Sequence, residues 1–280
     1  MKEIYASKIE DAVCQALLDA HFSISSDIES AVRQAAKKEA MAQARVVLQQ
    51  ITDNYVIARE ESLPICQDSG MTMIWAEVGQ EVHINGDFET AVNKGVRRAH
   101  KEGYLRASVV RDPLFDRSNT KDGTPAIIQV RLVTGDQMRL NVVAKGFGSE
   151  NCSVMQMFIP ATPMEEIENF IVSAVTDAGG KSCPPVIVGV GIGGTMDKAS
   201  AMAKQATFRS INQRKQNPKY AALEEKLLQK INASGIGPGG LGGKTTALAV
   251  NIATFATHIA SVPVAVNLCC HASRHATVEL

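Results

Sequence analysis

The sequence predicts an α/β fold: a helical N-terminal part over about residues 1–65, then mixed α/β structure with glycine-rich turns over about 66–280. Three observations point there. Apolar residues early in the chain recur at three- and four-residue steps, the spacing of one helix face. Later segments are short, β-branched and apolar, and they alternate with segments of helical period. Glycine and proline clusters punctuate the boundaries. With 280 residues, 45% apolar and 21% charged, the chain has the composition of a soluble protein with a substantial core.

The elements follow in order. Ser26-Asp27-Ile28-Glu29 has the form of a capping box, and Ile28, Val32 and Ala35 or Ala36 then line one face. Helix continues through ARVVLQQITDNYVIA, broken somewhere before Pro64, and Leu63 to Gly70 is a loop. Ala126–Val133 and Met138–Lys145 read as strands, with Gly135-Asp136 as a hairpin turn between them. Thr162-Pro163-Met164-Glu165 starts a helix, in which Ile167, Phe170, Ile171, Ala174 and Val175 share a face and Gly179-Gly180 is the stop. VIVGVGIGG is a buried strand entering a glycine turn, followed by helices from about Lys198 to Gln213 and from Leu223 to Ile231. The stretch Ser234–Gly243 precedes a final apolar helix, and SVPVAVNLCC is a closing strand.

Composition also excludes some partners. Acidic and basic residues balance at 29 each, so no excess positive charge marks a nucleic-acid or anionic-membrane partner. No run of about 18 apolar residues is present, and the N-terminus lacks a signal-peptide pattern, so a cytoplasmic location is expected. The six cysteines, Cys14, Cys66, Cys152, Cys183, Cys269 and Cys270, are then thiols, and their spacing alone demonstrates no metal site.

Two segments imitate phosphate loops. Gly189–Gly194 satisfies GxGxxG between a strand and a helix, but no acidic residue stands about twenty positions on to hold a ribose; Phe208, Arg209 and Ser210 occupy that place. The plainer reading is close packing of helix on strand. Gly239–Thr245 resembles a Walker A loop, yet its first glycine position is Pro238 and no strand precedes it. Its amides still suit an anion. A P-loop or dinucleotide enzyme is the alternative of another class.

Several ordered blocks carry a resemblance: Cys66-Gln67-Asp68-Ser69-Gly70, Tyr104–Ser108, Asp112-Pro113-Leu114, Asn119-Thr120, Lys145–Asn151, Cys183-Pro184-Pro185, Gly193-Gly194-Thr195 and Gly237–Lys244. On these the chain resembles the α subunit of class I, iron–sulfur-dependent fumarate hydratases and related L-tartrate dehydratases, over essentially its whole length. The resemblance implies reversible hydration of fumarate to L-malate, with L-tartrate or a mesaconate-type substrate as alternatives. It implies a [4Fe–4S] cluster on Cys66, Cys183 and Cys270, leaving one iron open. Asp68 would act in catalysis, and Gln67, Asp68, Arg106, Gly148 and His258 would line the dicarboxylate. The catalytic base would lie on a β subunit, in an αβ or α2β2 assembly.

Taken without the resemblance, each residue has an ordinary explanation. Each cysteine can be a packed thiol, Asp68 a turn residue, Arg106 a surface cation and His258 a core histidine. Cys269 and Cys270 are adjacent in a strand and so face opposite sides, which leaves one of them to ligate. A zinc site from Cys269, Cys270, His271 and His275 is the competing metal reading, though adjacent cysteines lack the usual spacing.

Overall fold

The computed structural model describes residues 1–280. Strand β1 (Lys2–Tyr5) leads into helices α1 (Ala6–Phe22), α2 (Ser26–Lys38) and α3 (Ala42–Glu61). Then come β2 (Met71–Gly79), β3 (Val82–Asn85), α4 (Phe88–Glu102), β4 (Ile127–Val133), β5 (Met138–Lys145) and the short α5 (Phe147–Glu150). The remainder is β6 (Val154–Phe158), α6 (Met164–Ala178), β7 (Val186–Gly194), α7 (Met196–Ala206), α8 (Pro218–Asn232), β8 (Ala247–Thr257), β9 (Val262–Cys269) and β10 (Arg274–Glu279). No helix is long and apolar enough to cross a membrane. The α/β class predicted from sequence is the class observed.

The chain forms two compact units. The first comprises residues 1–24, 54–147 and 272–280, and the second residues 25–53 and 148–271. In the first unit, a four-stranded sheet runs in the order β10-β5-β2-β4, with β2 parallel to β4 and antiparallel to β5. Alternate residues Ile74, Ala76 and Val78 of β2 and Met138, Leu140, Val142 and Ala144 of β5 project to one face. That face buries Ile9, Val13 and Leu17 of α1 and Val92, Val96 and Ala99 of α4. Helix α4 starts where the Asp87 carboxylate accepts the Thr90 amide at 2.7 Å, a conventional N-cap.

In the second unit the sheet order is β6-β9-β7-β8, with β7 parallel to β8 and antiparallel to β9. Its two faces differ in the size of their side chains. Val186, Val188 and Val190, with Val250, Ile252, Val264, Val266 and Leu268, pack on α6 and α8. The opposite face of β7 offers Gly189 and Gly191, on which α7 rests. A Cβ at either position would lie 2.0 Å from a carbonyl oxygen of α7, Ala203 or Ala199. These glycines of the GxGxxG run therefore serve close helix–strand packing, as the plainer reading expected.

Three local expectations are corrected. Strands β4 and β5 exist, but they are not a hairpin: β2, the more continuously apolar strand, inserts between them. The apolar run after Gly243 is strand β8, not a helix; pairing along β7 outweighs its ambiguous periodicity. Helices α2 and α6 each begin one residue from the sequence estimate, capped at Ser25 and Pro163 without a side-chain bond.

The long loop between α4 and β4 is tied to the first unit through Arg97, whose guanidinium meets the Asp122 carboxylate at 2.9 Å. Burial alone would raise the Asp122 carboxyl, but bonds from Thr124 and Arg97 draw it down to about 2. Its stabilising contribution is thus complete above an unfolded-state value of 3.8 and lost as pH falls through about 2. Asp122→Asn is expected to cost on the order of 1 kcal/mol at neutral pH and to flatten the acid limb of a pH–stability curve. Gly191→Ala is expected to lower stability by about 3 kcal/mol, since the methyl meets backbone that cannot swing aside. Denaturant titration checks both.

Candidate active site

The Cys66–Gly70 turn follows α3 in the first unit. Its entrance is fixed at Ile65, whose amide donates to His21 O at 2.9 Å and whose carbonyl accepts from Asn54 Nδ2 at 2.9 Å. Its exit is fixed by Gly70, at φ +71°, where a Cβ would lie 2.3 Å from the Lys145 carbonyl oxygen. Only glycine meets both demands. Between these anchors Asp68 is held at both carboxylate oxygens: Oδ1 accepts from Gly70 N at 2.9 Å and Oδ2 from Phe147 N at 2.8 Å. The Cys66 thiol contacts Gln67 Oε1 at 3.4 Å.

Ser69 is buried and accepts the Arg106 amide on its Oγ at 2.9 Å, which tethers the Arg106 backbone to the turn while its side chain stays exposed. Farther along the same loop, Asn119 donates to Ala107 O at 2.9 Å, and Val110 and Asn119 form a bridge. The first unit therefore gathers Cys66, Gln67, Asp68 and the Arg106 backbone around one turn. The sequence pattern named these residues but gave no sign that Ser69 links them.

The second unit holds Gly148, Cys183, Cys270 and His258. Cys183 caps a 3₁₀ turn, Gly179–Ser182, in left-handed conformation at φ 54°, and is exposed. A Cβ on Gly148 would lie 4.0 Å from the Cys183 sulfur and 3.4 Å from Lys181 O, so these two expected residues are neighbours. The segment after Gly148 is fixed by Glu150, which accepts from Asn267 Nδ2 at 2.9 Å and pairs with Lys204. Cys269 pairs with Ile187 across β9 and β7. Cys183, three residues before β7, and Cys270, one after β9, consequently occupy the same end of the sheet.

His258 is not brought to that end. It follows β8, where Thr257 pairs with Gly194, and it is exposed with Nδ1 accepting from Ala260 N at 3.1 Å. At about 3.3 Å per residue, the nine residues of β7 separate His258 from Cys183 and Cys270 by roughly 25–30 Å. An extended strand, where a helix was expected, produces this distance.

The glycine-rich loop before β8 already contains an anion. Glu39 is 5% exposed, and its Oε2 accepts the Lys244 amide at 2.8 Å while Oε1 accepts Met41 N at 3.1 Å. Burial would raise this carboxyl, yet the amides of Lys244, Met41 and Ala40 draw it below the ordinary carboxylate range. The anion-friendly wall thus serves the protein's own Glu39. The same loop braces the Cys183 turn, since Gly239 N donates to Pro184 O at 2.8 Å.

No disulfide is present. Cys183 is exposed and Cys66, Cys152 and Cys270 are half-buried, whereas Cys14 and Cys269 are buried. The donor chemistry of Cys66, Cys183 and Cys270 fits a thiolate-ligated group, in soft ligands with open access. Cys269, the first ligand of the zinc alternative, is buried within β9. No group of three or more His, Cys, Asp or Glu side chains is gathered to hold a metal ion; Cys66 belongs to the first unit and Cys183 and Cys270 to the second.

Comparison with known proteins gives this arrangement a family. Residues 10–279 match the family described as fumarate hydratase (Fumerase). A Methanocaldococcus jannaschii protein named "Putative L(+)-tartrate dehydratase subunit alpha" is 36% identical over 274 residues, 96% of each chain. The L(+)-tartrate dehydratase subunit alpha of Escherichia coli strain K12 is 28% identical over 254 residues, covering 90% of this chain and 84% of the relative. The counterpart from strain UTI89 is 28% identical over 256 residues, covering 91% and 84%. The match spans both units, with all eight residues expected at the site inside it, and the chain belongs to the fumarate hydratase (Fumerase) family.

Proposed function

We propose that this chain is the α subunit of a cytoplasmic hydro-lyase that reversibly hydrates fumarate to L-malate, acting with a β subunit in an αβ or α2β2 assembly. The observation that carries the reading is the end-to-end correspondence with relatives named as α subunits, 96% of both chains in the archaeal case. The built turn at Cys66–Gly70 supports it, because a doubly held carboxylate beside a thiol and a tethered arginine is more than a solvent-facing loop needs.

Cys66, Cys183 and Cys270 are the proposed ligands of a [4Fe–4S] cluster. When bound with one open iron, such a group supplies Lewis acidity toward a hydroxyl and a carboxylate oxygen. The chain's own residues provide the remaining chemistry on this side. Asp68, fixed at both oxygens, passes a proton at the substrate hydroxyl. The planar fork of Arg106 clamps a substrate carboxylate through two bonds, with the Gln67 amide beside it. Gly148 leaves room for the substrate to approach backbone. His258 would reach such a site only from a neighbouring protomer. The base that takes the carbon-bound proton, with further carboxylate contacts, belongs to the β subunit.

A second reading, an L-tartrate dehydratase α subunit, is favoured by the names of the relatives. Tartrate differs from malate by one hydroxyl. A site built to bond that group rejects the substrate lacking it, by a factor set by the polar atoms left unpaired. Anaerobic purification of the αβ pair and a panel of fumarate, L-malate, L-tartrate and mesaconate decides between them. Turnover of fumarate and L-malate with kcat/KM at least tenfold above L-tartrate and mesaconate supports the first reading; preference for L-tartrate selects the second; no turnover of any dicarboxylate overturns both. Asp68→Asn should lower kcat by about 10²–10⁴-fold, and Arg106→Lys should mainly raise KM, by roughly tenfold or more.

Thiol accessibility supplies an independent check. Burial raises the Cys14 thiol, and Cys269 is shielded within β9. Alkylation of metal-free protein followed by mass spectrometry is expected to label Cys183 first, Cys66 and Cys270 next, and Cys14 and Cys269 last.

A further inference from the structure

Arg274 is a buried cation to which neither the sequence pattern nor the proposed function gives a role. It begins β10 and pairs with Ala144 of β5, one residue before the segment that closes on the Cys66–Gly70 turn. Only 1% of it is exposed. One of its terminal nitrogens donates to the Asp68 carbonyl, while its Nε has no hydrogen-bond partner. A buried guanidinium so sparsely bonded is poor value as a stabilising device, because desolvation of the charge is not offset by a full set of acceptors.

What surrounds the charge indicates its use. A Cβ built on Gly146 would lie 3.1 Å from the other terminal nitrogen of Arg274 and 3.3 Å from Asp68 Oδ2. The guanidinium and the Asp68 carboxylate therefore flank one point, no more than about 6.4 Å apart, and any side chain at Gly146 would intrude there. Its charge also reaches His21, fully buried with neither ring nitrogen bonded. Burial, then the charge of Arg274, then that of His100 hold the His21 imidazole neutral well below its ordinary range. The His21 backbone carbonyl accepts the Ile65 amide at the entrance of the same turn. The positive charge thus has the Asp68 carbonyl as its hydrogen-bond partner and an uncharged ring within its reach.

We propose that Arg274 is a positioning residue for the reaction. Its guanidinium fixes the Asp68 backbone and biases the Asp68 carboxylate into the doubly bonded pose on Gly70 N and Phe147 N. The inference rests on the hydro-lyase reading for its functional consequence, and on first-unit geometry alone for its structural one. A shift of about 1 Å in a positioned reacting group costs about 100-fold in rate, and that is the effect expected from freeing this turn.

The test uses the anaerobically purified αβ complex with Arg274→Met and Arg274→Lys. Three quantities are measured beside kcat and KM: iron and sulfide content, thermal midpoint, and hydrogen exchange at the Gly70 and Phe147 amides. Arg274→Met is expected to lower kcat about 100-fold with KM within threefold, iron content unchanged, and exchange at those two amides at least tenfold faster. Arg274→Lys should recover about tenfold of the lost rate, since it restores the charge but not the fork. Unchanged exchange at Gly70 and Phe147 in the Met variant overturns the inference. So does a loss of rate that merely follows lost iron or a lowered midpoint, without rescue by Lys. Faster exchange in a complex whose unsubstituted form turns over no dicarboxylate sinks the hydro-lyase reading and leaves the positioning role standing.

Discussion

The expected site residues of the first unit depend on one backbone approach, that of Gly70 to the Lys145–Gly146 peptide. A turn and the end of a strand meet there without a side chain between them. Beside it the Phe147 amide reaches the Asp68 carboxylate, and the Arg274 guanidinium donates to the Asp68 carbonyl. Enlarging either glycine involved, Gly70 or Gly146, would change what the turn presents rather than whether the sheet forms. The expected site residues of this unit sit where the packing has least tolerance.

The second unit follows the same principle on a larger scale. Its sheet carries large apolar residues toward α6 and α8 and glycines toward α7, so one helix rides unusually near the strands. The Cys183 turn, the glycine loop that braces it and the end of β9 all collect at one edge of this sheet. Asn267, Glu150 and Lys204 connect that edge to the Gly148 segment through charged hydrogen bonds. Those bonds are stronger than neutral ones and hold the segment to one geometry.

Much of this was legible in the sequence, and the failures have physical causes. Element types were readable where periodicity was strong, as in α2, α6 and β7. The run after Gly243 was misread because an apolar stretch without clear alternation looks alike as helix or strand until a partner strand decides it. The β4–β5 hairpin was misread because adjacency in sequence hides a third strand inserted between them. Block patterns named Cys66, Asp68, Arg106 and Gly148. They could not reveal Ser69, Glu39 or Arg274 as the groups that hold those blocks, since each acts on a partner far away in the chain. The Lys244–Glu39 and Arg274–Asp68 bonds span 205 and 206 residues. The anion-friendly glycine loop was legible for a related reason only in part: glycine spacing records an amide-lined concavity but not that Glu39 already fills it.

The interrupted course of the first unit has a consequence for biosynthesis. Its sheet is completed by β10, yet about 120 residues of the second unit are translated between β5 and that strand. At about 5–20 residues per second, a nascent chain waits roughly 6–24 seconds with the edge of β5 unpaired. During that interval the second unit, whose residues 25–53 have already been made and whose residues 148–271 are then completed, can fold. The Asp68 turn then acquires its arginine only after residues 148–271 have been made, so nascent chains are exposed to edge pairing with other strands over that time.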